Sequence, residues 1–90
     1  MNPSKMFKKN MLFLSKKKGM GIAELEECIN KPEGYLADCE SLNLDDCVEI
    51  ATYIQAPLQD MVYIDLEKLT KAKGIDLCYR DGQWVNGRQA

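Results

Sequence analysis

The sequence predicts an all-α protein: five short helices, two of them forming a helix-turn-helix, followed by a C-terminal helix and a small β-hairpin. Three observations predict it. Apolar residues recur at three- and four-residue steps through five successive short segments between Ser4 and Tyr63. Residues 25–40 read as an amphipathic helix, a tight turn and a second helix. After Gly74 the apolar period shortens to two and brackets Asp81-Gly82, a dipeptide suited to a two-residue hairpin turn.

The stretch from Leu25 to Glu40 organises the rest. Ile22, Leu25 and Ile29 fall on one helical stripe, whereas Glu24, Glu26 and Glu27 fall off it. Asn30 tolerates the left-handed backbone that a helix end requires, and Pro32 is suited to the first turn of a new helix. Tyr35, Leu36 and Cys39 then supply the apolar side of the second helix.

On the N-terminal side, a helix from about Ser4 to Lys18 buries Phe7, Met11 and Leu14, turns its lysines outward and breaks at Gly19 and Gly21. On the C-terminal side, Asn43 is a good N-cap with Asp45 and Asp46 in the first turn. The helix it opens ends near Gln55 and carries a core stripe of Leu44, Cys47, Val48, Ala51 and Ile54. Pro57 begins a fifth helix with Leu58, Met61 and Val62 inward. Residues 4–63 thus make a helix-turn-helix unit, and 64–90 make the tail. The tail has a helix from Asp65 to Lys73, with Leu66 and Leu69 inward, and a hairpin of Ile75 to Arg80 with Gln83 to Val85. An isolated two-stranded hairpin is marginal in water. This one must therefore pack on the helices or pair with a second copy, with Trp84 as its anchor and Ile75, Leu77 and Tyr79 as further candidates for a dimer interface.

Ninety residues suffice for one small domain, and a core of that size gains from a partner chain. With 46% hydrophobic and 29% charged residues, the composition is that of an ordinary globular chain. No apolar run approaches the roughly 20 residues that span a bilayer, and Met11 to Leu14 is too short for a signal-peptide core. The expected location is cytoplasmic. The cysteines, at 28, 39, 47 and 78, form no Cys-x-x-Cys pair and there is no histidine, so no metal or other cofactor is expected. Reduced packing cysteines are the simplest reading, with a redox or disulfide role as the alternative. Without histidine, a glycine-rich phosphate loop, or a nucleophile beside a base, the chain does not read as an enzyme.

The net charge of −2 conceals a division into three. Residues 1–18 hold six lysines and no acid; residues 19–67 hold twelve acids against Lys31 alone; residues 68–90 hold five bases and two acids. The centre is acidic between basic ends.

Residues 7–62 resemble the lambda-repressor-like, Xre/Cro-type helix-turn-helix domain. Phe7, Asn10, Met11, Leu14 and Gly19 match its first helix and exit. Leu25, Glu27, Ile29, Tyr35, Leu36 and Glu40 match its second and third helices, and Leu44, Ile50, Ala51, Ile54, Leu58 and Met61 its last two. The resemblance implies a five-helix fold and a homodimer that lays its third helix in the major groove of double-stranded DNA. Carried over residue by residue, it assigns the DNA-facing positions to Ile22, Lys31, Pro32, Glu33, Gly34, Tyr35 and Asp38, with Lys16, Lys17 and Lys18 as candidates for phosphate contact.

The chain departs from the family in three places. Glu33 and Asp38 stand where the family commonly has hydrogen-bond donors. The basic turn after the glutamate is shortened to Ser41-Leu42. Ser15 stands where many relatives have an arginine paired with the residue matching Glu40.

Two functions follow from these residues. The leading one is a sequence-specific DNA-binding transcriptional regulator of a bacterium, phage or mobile element. The rival keeps the fold but turns the acidic middle into a protein-interaction surface, as in an antirepressor or an inhibitor of a nucleic-acid-binding protein. For Glu33 the plain alternative is a helix-dipole role in the first turn of the third helix; for the lysines it is a solvated helix face.

Overall fold

The computed structural model describes residues 3–38 and 42–87. Among them are six helices: α1 (Pro3–Lys17), α2 (Ile22–Cys28), α3 (Tyr35–Asp38), α4 (Leu44–Ile54), α5 (Leu58–Tyr63) and α6 (Leu66–Lys73). They are followed by an antiparallel pair, β1 (Leu77–Arg80) and β2 (Gln83–Asn86). Cys39, Glu40 and Ser41, read above as parts of the third helix and its exit, lie outside the described residues.

Three helices stop in the same way. At Gly19, Asn30 and Gln55 the backbone turns left-handed, with φ of 73°, 59° and 66°. The next residue's N–H then reaches back to a carbonyl five positions earlier: Met20 to Ser15, Lys31 to Glu26, and Ala56 to Ala51. This closure satisfies carbonyls that a helix end leaves open. Asn43 caps α4 by accepting from the Asp46 N–H at 2.8 Å, and Asp65 caps α6 by accepting from Lys68 at 3.1 Å. In the hairpin, Asp81 and Gly82 both have positive φ, 53° and 82°, as the predicted two-residue turn demands. Its register pairs Tyr79 with Trp84 and extends the returning strand to Asn86.

One core runs through the molecule. Phe7, Met11 and Leu14 of α1 meet Leu25, Leu36, Ile50, Ile54 and Met61, and Leu66 and Leu77 of the tail belong to the same cluster. α1 lies chiefly against α5, with α4 and α6 beside it, and α2 rests on α4 and α3.

The stripe expected of α4 is displaced. Its buried face is Cys47, Ile50, Ala51 and Ile54, while Leu44 is 69% and Val48 45% exposed. Val48 is a quarter turn or more away from the centre of that face, and Leu44 sits in the first turn, beyond the reach of the core. Asp46, by contrast, is buried, and its Oδ2 has no hydrogen bond among the described residues.

The tail docks through polar contacts as well as apolar ones. The Asn10 side chain donates to the Met61 and Ile64 carbonyls at 2.7 and 2.6 Å and accepts from the Leu66 N–H at 3.0 Å. A single buried amide thereby closes the end of α5 and opens α6. Lys9 bridges to Asp65 at 2.6 Å. The Lys9 hydrogen bond holds the Asp65 carboxyl below its usual 3.8, helped by the Lys68 N–H, and the same bond raises Lys9 above 10.5. The stabilisation from Asp65 is therefore present above pH 3.8 and lost as pH falls through the lower folded value; that from Lys9 is present below 10.5 and lost as pH rises through the higher folded value. Asp65→Asn keeps the cap acceptor and removes the charge. Urea denaturation should show it less stable than the parent at neutral pH, with the difference closing in acid.

Candidate nucleic-acid interface

The segment between α2 and α3 holds most of the residues that the sequence assigns to a DNA surface. After the closure at Asn30, Lys31 and Pro32 lead without regular structure into a turn at Glu33-Gly34, and the Tyr35 N–H donates to the Pro32 carbonyl at 3.1 Å. Gly34 has φ of 92°, which a right-handed helix does not admit, so α3 begins at Tyr35. This corrects the expectation that Pro32 and Glu33 lie in the first turn of the third helix. Both stand before it, and a helix-dipole role for Glu33 lapses. The connection, residues 29–34, is also longer than a tight helix-turn-helix turn of three or four residues.

The turn is held from inside by a residue expected on the outer face. Glu26 is 2% exposed, and its carboxylate accepts from the Leu36 N–H at 2.9 Å. Its neighbours on the helix surface, Leu25 and Ile29, are buried, and the turn closes over it. An acceptor placed there satisfies one of the N–H groups that the start of α3 leaves open. Periodicity alone could not find this role, because the buried face of α2 is wider than its apolar stripe.

The residues assigned to a DNA surface divide into two groups. Pro32, Glu33 and Asp38 are exposed, together with Ala37, while Leu36 is buried beneath them. Lys31, Gly34 and Tyr35 are half-buried, and the Lys31 ammonium lies 5.2 Å from the centre of the Tyr35 ring, a cation–π contact. Ile22 packs partly against the core at the start of α2. Beside this edge is a hollow of about 310 Å³ whose lining includes Glu26, Glu27, Glu33 and Lys31.

Lys16 is exposed near the end of α1. Lys17 is bound to the tail: it pairs with Asp76 at 2.5 Å, donates to the Leu77 carbonyl at 2.5 Å, and lies 5.6 Å from the centre of the Phe13 ring. Lys18 donates to the Ile54 carbonyl at the end of α4. Two of the three phosphate candidates thus hold the fold together.

Among the residues offered for a dimer interface, Leu77 is 3% exposed within its own chain, a correction to its placement at a surface. Trp84 packs against the core, donates from Nε1 to Asp60 Oδ2 at 2.7 Å, and meets Tyr79 edge to face at 5.1 Å. Ile75 is half-buried against the same cluster. The hairpin packs on the helices, the first of the two arrangements open to it. Asp60 and Asp76, which receive Trp84 and Lys17, had no signal in the sequence beyond their charge.

Cys28 and Cys78 are free thiols, and burial together with the nearby Glu49 carboxylate raises the Cys28 thiol above 9.0. No group of candidate metal ligands occurs among the described residues, and no helix there is long and apolar enough to cross a membrane. Comparison with protein-family models, with curated proteins and with solved structures finds no match to the chain.

Proposed function

We propose that the chain is a DNA-binding regulator of the Xre/Cro type that acts as a homodimer. The observation that carries this reading is an open edge made by the turn before the third helix and by the helix itself: Pro32 and Glu33 of the turn and Ala37 and Asp38 of α3 are exposed, while Leu36 anchors the helix from below. Such an edge is what a major groove accepts. Lys31 at the edge and the exposed Lys16 on α1 supply positive charge for phosphates.

Selection from a library of random duplexes, followed by titration of the enriched site at two salt concentrations, tests it. The expected result is an enriched, pseudo-palindromic sequence whose affinity falls as salt rises, bound by two chains in sedimentation. Failure to enrich any sequence, with no salt-dependent binding, overturns it.

A second reading is favoured by the same edge. Glu33 and Asp38 present carboxylates there, and the adjoining hollow adds the exposed Glu27, which suits a basic protein partner better than a polyanion. The double variant Glu33→Gln with Asp38→Gln separates the two. If the parent is a DNA reader that uses these carboxylates, the variant changes or loses its preferred sequence. If the surface has turned to proteins, only the variant gains duplex affinity.

A further inference from the structure

We propose that the recess between the helices and the hairpin binds a small aromatic monocarboxylate. The recess measures about 220 Å³ and lies where the end of α1, the α4–α5 connection and the hairpin converge. Its apolar walls are Leu14, Ile54, Ala56 and Leu77, and its aromatic wall is the Tyr79–Trp84 pair. Among the described residues, three cations, Lys17, Lys18 and Arg80, line it against the single carboxylate of Asp76. In a chain of net charge −2 this is a local reversal of sign, and it selects an anion.

Size and charge narrow the ligand further. A dry cavity of about 150 Å³ admits benzene, whereas cofactor and drug-sized pockets run from about 300 Å³ upward. A recess between those limits takes one ring and one small polar group. Lys17 is already paired with Asp76. Lys18 donates to the Ile54 carbonyl, a neutral acceptor that does not compensate its charge, and an ammonium has further N–H donors to offer. The Arg80 guanidinium can meet a carboxylate through two parallel hydrogen bonds. The ring would lie against an aromatic wall already held in place, since Asp60 fixes the Trp84 indole.

Trp84 is the single tryptophan, so its emission reports occupancy directly. Benzoate and phenylacetate should produce a saturable change in that emission and raise the thermal midpoint at constant ionic strength, while benzamide should do neither. Arg80→Gln and Lys18→Gln should each weaken benzoate binding by about tenfold or more, the range for loss of a charge-assisted hydrogen bond. A linear, non-saturating response, an equal response to benzamide, or undiminished binding by both variants would overturn the proposal. The recess uses none of the residues on the open edge of α3, so failure here leaves the DNA reading intact, and the reverse holds.

Discussion

Asn10→Ala is expected to lower the free energy of unfolding by about 3 kcal/mol and the thermal midpoint by roughly 12–24 °C for a domain of this size. The residue is fully buried and makes three hydrogen bonds to the backbone, two as donor and one as acceptor, all at the junction of α5 and α6. Alanine leaves the Met61 and Ile64 carbonyls and the Leu66 N–H without their partner in a site too enclosed for water to compensate freely. The penalty for stranded buried groups, not the modest net worth of each bond, sets the size of the effect. Asn10→Asp is the sharper probe. It matches the shape but removes both donors and turns an oxygen toward two carbonyls, so it should be at least as destabilising as alanine at neutral pH and recover in acid. Urea denaturation of both variants checks this, and an Asn10→Asp chain as stable as the parent would mean that the amide does not hold the junction.

The second large effect is expected at Glu26. Glu26→Ala strips the acceptor from the buried Leu36 N–H and leaves a void beneath the turn, which together should cost about 2–3 kcal/mol. Glu26→Gln keeps an acceptor oxygen of the same reach and should restore most of that loss. The location of the damage is as telling as its magnitude. Because Glu26 joins α2 to the start of α3, amide hydrogen exchange in Tyr35–Asp38 should accelerate more than exchange in α1 or α4. Uniform acceleration across all helices would place the role of Glu26 in general packing instead. If the open edge of α3 reads DNA, the alanine variant should also lose affinity by more than its remaining folded fraction explains.

Much of the fold was legible because local chemistry and periodicity agreed. Phe7, Met11 and Leu14 announced the buried side of α1, and Asn43, Asp65, Gly74 and Asp81-Gly82 marked ends and turns where the structure has them. The misreadings occur where tertiary context outweighs pattern. Leu44 and Val48 have the spacing of a core stripe, yet the neighbours of α4 cover the face centred on Ile50. Glu26 has the character of a surface residue, but the chain turns back over it. Gly34 delays α3 past the proline that reads as its start, because a single left-handed residue overrides a favourable proline.

The candidate site was legible as an address more than as a set of contacts. Pro32, Glu33 and Asp38 are exposed, whereas Lys31, Gly34 and Tyr35 are half-buried, and nothing in the lysine run distinguished Lys16 from Lys17 and Lys18. Their separation depends on Asp76, Leu77 and Ile54, which are distant in the chain. Long-range pairings of this kind are invisible to any window of a dozen residues.

The way the hairpin is fastened bears on how such a chain could be rearranged. Leu77 completes the helical core, Lys17 grips Asp76, and Asp60 receives Trp84, so the last strands are keyed to particular side chains of the helices. Grafted onto a different helical unit, the hairpin would arrive with an apolar residue facing water and its two fasteners unmatched. The tail is a fitted lock, not a portable cassette, and a change at Lys17 or Asp60 calls for an answering change at Asp76 or Trp84.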